Sequence, residues 1–181
     1  IYGYWSLVLA DLVGSEGRVV ALEANPWLHW LLRRNVHVNG LGRIITTERV
    51  AAAEGPHASV TVPALLVGPG DGRFASAFTT EAGRTHCAAP AKALQDIEPG
   101  SVDFLRIGAT TQSDRVVAGL GGLLDRSPGL RIMLDFDANL CAEAPSLLEA
   151  LSARYPLRFV DGDSLAKPCT VEDVLARRRV T

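Results

Sequence analysis

The chain has 181 residues, of which 48% are hydrophobic, and this length and composition suit one domain with a substantial core. Its formal net charge is -2 and it has no long basic run, which argues against a nucleic-acid or membrane-surface partner. No apolar run could cross a bilayer and no signal peptide is visible. Three widely spaced cysteines, of which only Cys87 has an adjacent histidine and none has a set of ligands at metal-binding spacing, predict free thiols, no metal site and a cytoplasmic location.

The first residues have the form of a glycine turn followed by a helix. Ile1, Tyr2 and Gly3 resemble the end of such a turn. Tyr4–Val13 then has Leu7, Val8 and Leu12 on one apolar face, and Gly14 ends the predicted helix. An α/β domain normally places a strand and a glycine-bearing turn before this helix. We therefore expect further sequence upstream.

The next stretch predicts a strand, an acid and a helix in immediate succession. Val19–Leu22 is an apolar run typical of a buried parallel strand, and Glu23 follows it directly. Asn25 and Pro26 then open a helix with one apolar stripe, formed by Leu28, Leu31, Leu32 and Val36. An acid at the carboxyl end of a parallel strand can accept hydrogen bonds from both hydroxyls of a ribose. An isolated acid here is better explained as a helix cap or a solvated surface residue, so the residues before and after it decide between the two.

The remaining chain predicts strands and helices in alternation. Strands are predicted at residues 43–50, 59–62, 102–107, 130–135 and 157–160. Helices are predicted across residues 116–124 and 145–155, and after Thr170, where Asp173 forms an approximate capping box. This alternation predicts an α/β fold with a three-layer, doubly wound, mostly parallel sheet. The strands at 19–22, 102–107 and 130–134 should be adjacent or nearly so.

Residues 66–89 interrupt this alternation. They contain several glycines and no sustained apolar period, which is typical of a lid, a binding loop or a mobile segment. We expect them to be the least ordered part of the fold, with Phe74 or Phe78 packing inward as an anchor.

The segment GYWSLVLADLVGSEGRVVALEANPWLHWLLRRNVHVNGL resembles S-adenosylmethionine-dependent methyltransferases of the FkbM type. The resemblance extends over most of the chain and is most specific in its first 41 residues. It implies a Rossmann-like methyltransferase fold in which Glu23 holds the ribose of S-adenosylmethionine. The cofactor-binding positions that it implies are Gly3, Tyr4, Ser6, Glu23, Ala24, Asn25, Ala51 and Ala52, the last two near the adenine.

The resemblance also implies a reaction and its partners. The expected activity is methyl transfer to an oxygen of a sugar or a secondary metabolite, so the partner would be a small-molecule or carbohydrate acceptor. Other domains of the same longer chain are further possible partners.

Two departures from the family pattern affect the acceptor side. Gly108, Ala109, Thr110 and Thr111 stand where an Asp-Val-Glu-Gly segment is usual. The family's acid after the alanines is also absent, with Glu54 the nearest one. Activating a hydroxyl generally needs a base. The candidate bases are His29, His37, His57, His86, Asp114, Asp135 and Asp137, and no catalytic residue is assigned. His29 and His37 are expected on the helix surface.

Three functions are therefore compatible with the sequence. They are an active methyltransferase, a degenerate methyltransferase-like module with a structural or partner-binding role, and a nicotinamide-dependent oxidoreductase. The Asn-Pro and Asn-Gly-Leu context favours the methyltransferase class over the third. We expect the 181 residues alone not to transfer methyl groups at a useful rate.

Overall fold

The computed structural model describes most of the chain. The described residues are 3–55, 57–63, 78–81, 84–98, 100–108, 113–138, 141, 143–160 and 162–177. The chain divides into two compact units, Ile1–Lys92 and Ala93–Thr181. Strand pairs and helices occur in both units, so the described fold is mixed α/β.

The first unit begins with a helix–strand–helix–strand succession, α1 (Tyr4–Val13), β1 (Val19–Leu22), α2 (Pro26–Val38) and β2 (Ile45–Glu48). Strands β1 and β2 are parallel, with Val19 opposite Ile45 and Leu22 opposite Glu48. The predicted strand, the predicted helix after Pro26 and the helix over Tyr4–Val13 are all confirmed. Helices α1 and α2 both contribute buried residues to the core beside this pair.

That core consists of small and branched apolar side chains, namely Ala10, Val19, Ala21, Leu32, Val36 and Ile45. The prediction of the apolar face of α1 is wrong at Leu12, which is 74% exposed. Ala10, which was not predicted to lie on that face, is buried. Leu12 lies five residues after Leu7, so the two side chains point about 140° apart around a helix of 3.6 residues per turn. Ala10, three residues after Leu7, shares its face.

A second sheet follows in the same unit, built from β3 (Ala51–Ala53), β4 (His57–Pro63), β5 (Phe78–Glu81) and β6 (Arg84–Ala93). Strands run in the order β3-β6-β4, and β5 also pairs with β6. Both β4 and β5 are antiparallel to β6. The sequence predicted only part of β4, so an antiparallel sheet was not anticipated.

The expectation of an irregular segment over residues 66–89 is wrong for 78–81 and 84–89, which form β5 and the first part of β6. Thr79 pairs with His86, and Thr80 pairs with Thr85. Backbone hydrogen bonds and β-branched residues therefore define this strand pair, although its sequence does not alternate between apolar and polar residues. Residues 66–77 and 82–83 lie outside the described chain, and so does Phe74. The side chain of Phe78 is likewise not described.

The second unit contains a further parallel pair. Its first elements are α3 (Leu94–Ile97), β7 (Phe104–Ile107), α4 (Ser113–Ala118), α5 (Gly121–Arg126) and β8 (Arg131–Leu134). Strands β7 and β8 are parallel and adjacent as predicted, with Ile107 opposite Leu134, whereas β1 pairs with β2 in a separate two-stranded sheet. Its last elements are α6 (Ala144–Ser152), β9 (Arg158–Val160), β10 (Ala166–Pro168) and α7 (Val171–Ala176). Strands β9 and β10 are antiparallel.

The helix predicted over residues 116–124 is two short helices, α4 and α5. Gly119 and Leu120 separate them, and glycine weakens a helix interior. The second helix is held from outside, because Gly122 N donates to Gln95 Oε1 over 2.7 Å. The capping box of α7 is confirmed, since Thr170 and Asp173 each accept a hydrogen bond from the other's backbone N–H. Within the described chain, no helix has the length and apolar character needed to cross a membrane.

Candidate functional site

Glu23 lies at the carboxyl edge of the β1–β2 pair. Its backbone N–H donates to the carbonyl of Glu48 over 3.1 Å, which extends the parallel pairing one step beyond Leu22. Its carboxylate Oε1 accepts a hydrogen bond from the backbone N–H of Asn25 over 2.9 Å. Burial raises the pKa of this carboxyl, and the hydrogen bond from Asn25 opposes that rise. Glu23 is therefore a partly desolvated acceptor in a fixed position.

Asn25 caps α2. Its Oδ1 accepts from Trp27 N over 2.9 Å and from Leu28 N over 3.2 Å, so two N–H groups of the first turn are satisfied. Asn25 is only 3% exposed, and its Nδ2 has no hydrogen-bond partner among the described residues. A buried amide donor without a partner costs roughly 1–3 kcal/mol. The site next to Glu23 therefore has a donor that a ligand could satisfy.

Gly3 begins α1 with a left-handed backbone, at φ 84°. A Cβ at this position would lie 2.5 Å from Leu32 Cδ1, so both the angle and the space require glycine. No side chain caps α1. The first backbone N–H groups of the helix, including those of Tyr4 and Ser6, are thus of the kind that binds anionic groups.

The structure brings some of the predicted cofactor-binding residues together. Glu23, Ala24 and Asn25 form the turn between β1 and α2. Residues 14–18 return the chain from α1 into β1, and the two elements pack together in the core. Gly3, at the start of α1, lies against Leu32 of α2.

The remaining two predicted residues, Ala51 and Ala52, lie in β3 and not in the turn that holds Glu23. Ala51 and Ala52 are half-buried in β3, which pairs with β6. They follow closely after Glu48, whose carbonyl accepts the hydrogen bond from Glu23 N. Their predicted place near an adenine stays a prediction.

His29 is not the surface residue that the sequence predicted. It is half-buried, and its Nε2 is buried without a hydrogen-bond partner among the described residues. Burial lowers the pKa of His29, the positive charges of Arg33 and Arg49 lower it further, and a hydrogen bond with the backbone of Thr47 opposes them. The sequence held a signal for this, because His29 lies three residues before the buried Leu32 and shares its helix face.

In the second unit, a charged pair occupies the carboxyl edge of β7 and β8. A guanidinium nitrogen of Arg106 donates to Asp135 Oδ2, and the two side chains are only 14% and 18% exposed. Asp135 N donates to the carbonyl of Ile107 over 2.9 Å, which fixes this residue at the strand end. Its Oδ1 is buried and has no hydrogen-bond partner within the described chain. Asp135, a candidate base, is thus engaged by a cation.

The other candidate bases differ in their exposure to solvent. Asp114 and Asp137 are half-buried, and His37 is exposed. The side chains of His57 and His86 are not described. Gly108 follows β7, whereas residues 109–111 lie outside the described chain.

The described residues contain no cluster of three or more histidine, cysteine or acidic side chains that could hold a metal ion. Cys141 and Cys169 are free thiols. Burial raises the pKa of both, which disfavours the reactive thiolate.

No protein-family model, curated protein or solved structure matches the chain significantly. The role of Glu23 is therefore inferred from the residues of this chain alone.

Proposed function

We propose that the chain is an S-adenosylmethionine-dependent methyltransferase domain that methylates an oxygen of a sugar or a secondary metabolite. The observation that carries the proposal is Glu23, held at the carboxyl end of parallel strand β1 by the N–H of Asn25. This is the position from which an acid contacts a ribose in open α/β folds. The proposed architecture is the three-layer, doubly wound sheet of Rossmann-like methyltransferases.

The residues around Glu23 fit the parts of this cofactor. The carboxylate of Glu23 is an acceptor for two ribose hydroxyls, and Asn25 Nδ2 is a donor without a partner in the described chain. The uncapped first turn of α1, which begins at Gly3, suits the carboxylate of the methionine part. Ala24, Ala51 and Ala52 are small apolar residues that leave room for a flat adenine ring.

S-adenosylmethionine, when bound, supplies a methyl group on a positively charged sulfur. The chain's task is then to hold the acceptor oxygen in line with that methyl group, since positioning alone supplies a large part of such a displacement. The proton of the acceptor hydroxyl must also leave. The described acid at the edge of β7 and β8, Asp135, already accepts from Arg106.

That ion pair supports a second candidate function, a methyltransferase-like domain that binds the cofactor without turning it over. Gly108 stands where the family's acid would follow the strand, and Asp135 is engaged by Arg106. General-base catalysis is typically worth about 10²–10⁴-fold in rate. A domain without it would keep a binding role, structural or towards a partner.

Two measurements on the complete protein that carries these residues test the proposal. Calorimetric titration with S-adenosylmethionine and S-adenosylhomocysteine tests binding, and transfer of a labelled methyl group to sugar acceptors tests turnover. Binding with turnover supports the enzyme, and binding without turnover supports the degenerate module. Absence of binding to either compound would contradict both.

A further inference from the structure

A positively charged concavity lies in the first unit, away from Glu23. It is formed by the second half of α2, the turn after it and the first part of β2. The residues that line its rim are Arg33, His37, Gly40, Gly42, Arg43 and Thr47. Val36 and Ile45 line it as well and are buried at 6% and 3% exposure, so the concavity rests on the packed core.

Basic side chains dominate this concavity. Arg33, His37 and Arg43 all line it, and none of the lining residues is acidic. Ion pairs among the described residues, such as those of Lys92, Arg106, Arg154 and Lys167, involve neither Arg33 nor Arg43. The two arginines of the rim therefore have no carboxylate partner among the described residues.

The charge of Arg33 also acts on the neighbouring His29. The positive charges of Arg33 and Arg49 each act to lower the pKa of His29, secondary to burial. Two arginines, Arg33 and Arg49, thus contribute positive charge on this side of α2. One opposing effect is the carbonyl end of α2 at Val38, which carries about half a negative elementary charge. Two guanidinium groups outweigh it.

The turn leaves space for a ligand. An added Cβ at Gly40 or Gly42 would meet no heavy atom within 4 Å, so the rim is open at both positions. Guanidinium groups match the oxygen atoms of a phosphate through paired hydrogen bonds, and two of them facing one concavity favour a compact, doubly charged anion.

We propose that this concavity binds the phosphate group of a small phosphate-bearing molecule or free phosphate. The site is distinct from the one at Glu23, and the inference does not rest on the proposed function. Ile45 is opposite Val19 and Thr47 is opposite Ala21, so the strand residues of the lining lie level with positions four and two residues before Glu23, about 13 and 7 Å along a strand at 3.3 Å per residue.

Backbone amide NMR spectra test the proposal. The protein is titrated with inorganic phosphate and separately with glycerol phosphate, at an ionic strength held constant with chloride. We expect saturable shifts at the amides of Gly40, Gly42 and Thr47. Arg33→Gln and Arg43→Gln should each weaken binding about fivefold, which corresponds to the loss of one partly exposed charged contact.

Arg131→Gln is the matched control, because Arg131 is an exposed residue of the second unit and the substitution removes the same charge. It should leave both titrations unchanged. The proposal would be overturned if the Arg33→Gln, Arg43→Gln and Arg131→Gln variants bound phosphate with equal affinity. It would also be overturned if phosphate changed the amide chemical shifts no more than chloride does. Binding of inorganic phosphate without binding of glycerol phosphate would identify free phosphate as the ligand, whereas binding of both would identify a phosphate-bearing molecule.

Discussion

The backbone N–H of Asn25 donates to Glu23 Oε1 over 2.9 Å, across the turn that joins β1 to α2. The same asparagine caps α2 with its side chain. One residue thus fixes both the candidate ligand-binding carboxylate and the helix behind it. A change at either position should therefore affect both the stability of the fold and the binding of a ligand.

Replacing Glu23 by glutamine should stabilise the fold at neutral pH. The folded-state pKa of Glu23 is raised above its ordinary value of 4.5 by burial, so ionisation costs the folded state free energy. Below pH 4.5 the carboxyl is protonated in both states, and the variants should be equally stable. As the pH rises from 4.5 through the folded-state pKa, the wild type should lose stability relative to Glu23→Gln. Urea unfolding across this pH range measures the difference, and a glutamine variant that is less stable throughout would contradict the prediction.

Asn25→Ala should destabilise the first unit. The substitution removes both hydrogen bonds to the first turn of α2, and loss of such a cap costs about 0.5–2 kcal/mol. Asn25→Ser keeps a capping oxygen and is the matched control, which should recover most of the loss. In thermal unfolding, the melting temperature of the alanine variant should fall by about 2–4 °C for each kcal/mol of stability lost. Equal melting temperatures for alanine and serine variants would show that the cap is unimportant.

Gly3→Ala should destabilise the start of α1 by about 2 kcal/mol. A left-handed backbone costs a non-glycine residue roughly 1–2 kcal/mol, and the new Cβ would also overlap Leu32 Cδ1. Gly42→Ala is the control, because its φ is not left-handed and its surroundings are open. It should change the free energy of unfolding by less than about 0.5 kcal/mol. Similar effects of the two substitutions would contradict the geometry at Gly3.

Breaking the Arg106–Asp135 pair should cost more than breaking an exposed pair. Removing one partner of a largely buried pair typically costs about 3–5 kcal/mol, because the remaining charge loses a carboxylate that balanced it. Asp135→Ala tests this, with Asp125→Ala as control, since Asp125 pairs with Arg154 over 3.7 Å while 78% exposed. The control should cost at most about 1 kcal/mol. Comparable losses in urea unfolding would show that the β7–β8 pair is effectively solvated.

The sequence predicted the region around Glu23 well because its signals are local. An apolar run, an acid, an Asn-Pro pair and a 3.6-residue period each specify backbone structure within a few residues. Strand β1, helix α2 and the capping box of α7 follow from such signals.

The sequence failed where structure depends on partners distant in the chain. Strand β5 has little apolar character, and its pairing with β6 supplies the backbone hydrogen bonds that define it. Gln95, which lies outside both helices, accepts a hydrogen bond from the start of α5 and stabilises the break between α4 and α5. The apolar periodicity of residues 116–124 gives no indication of this contact. The burial of His29 could have been predicted from its spacing to Leu32, whereas the ion pair of Arg106 with Asp135 required the register of β7 and β8.

The measurement that tests the central claim most directly is calorimetric titration of the complete protein and its Glu23→Ala variant with S-adenosylhomocysteine. Loss of a charge-assisted hydrogen bond costs about 1.5–3 kcal/mol, so the variant should bind roughly tenfold to a hundredfold more weakly. Glu16→Ala, which removes an exposed acid of the same charge, should bind like the wild type. Equal affinity of the wild type and the Glu23 variant, or no binding by the wild type, would contradict the assignment of Glu23 as the ribose ligand.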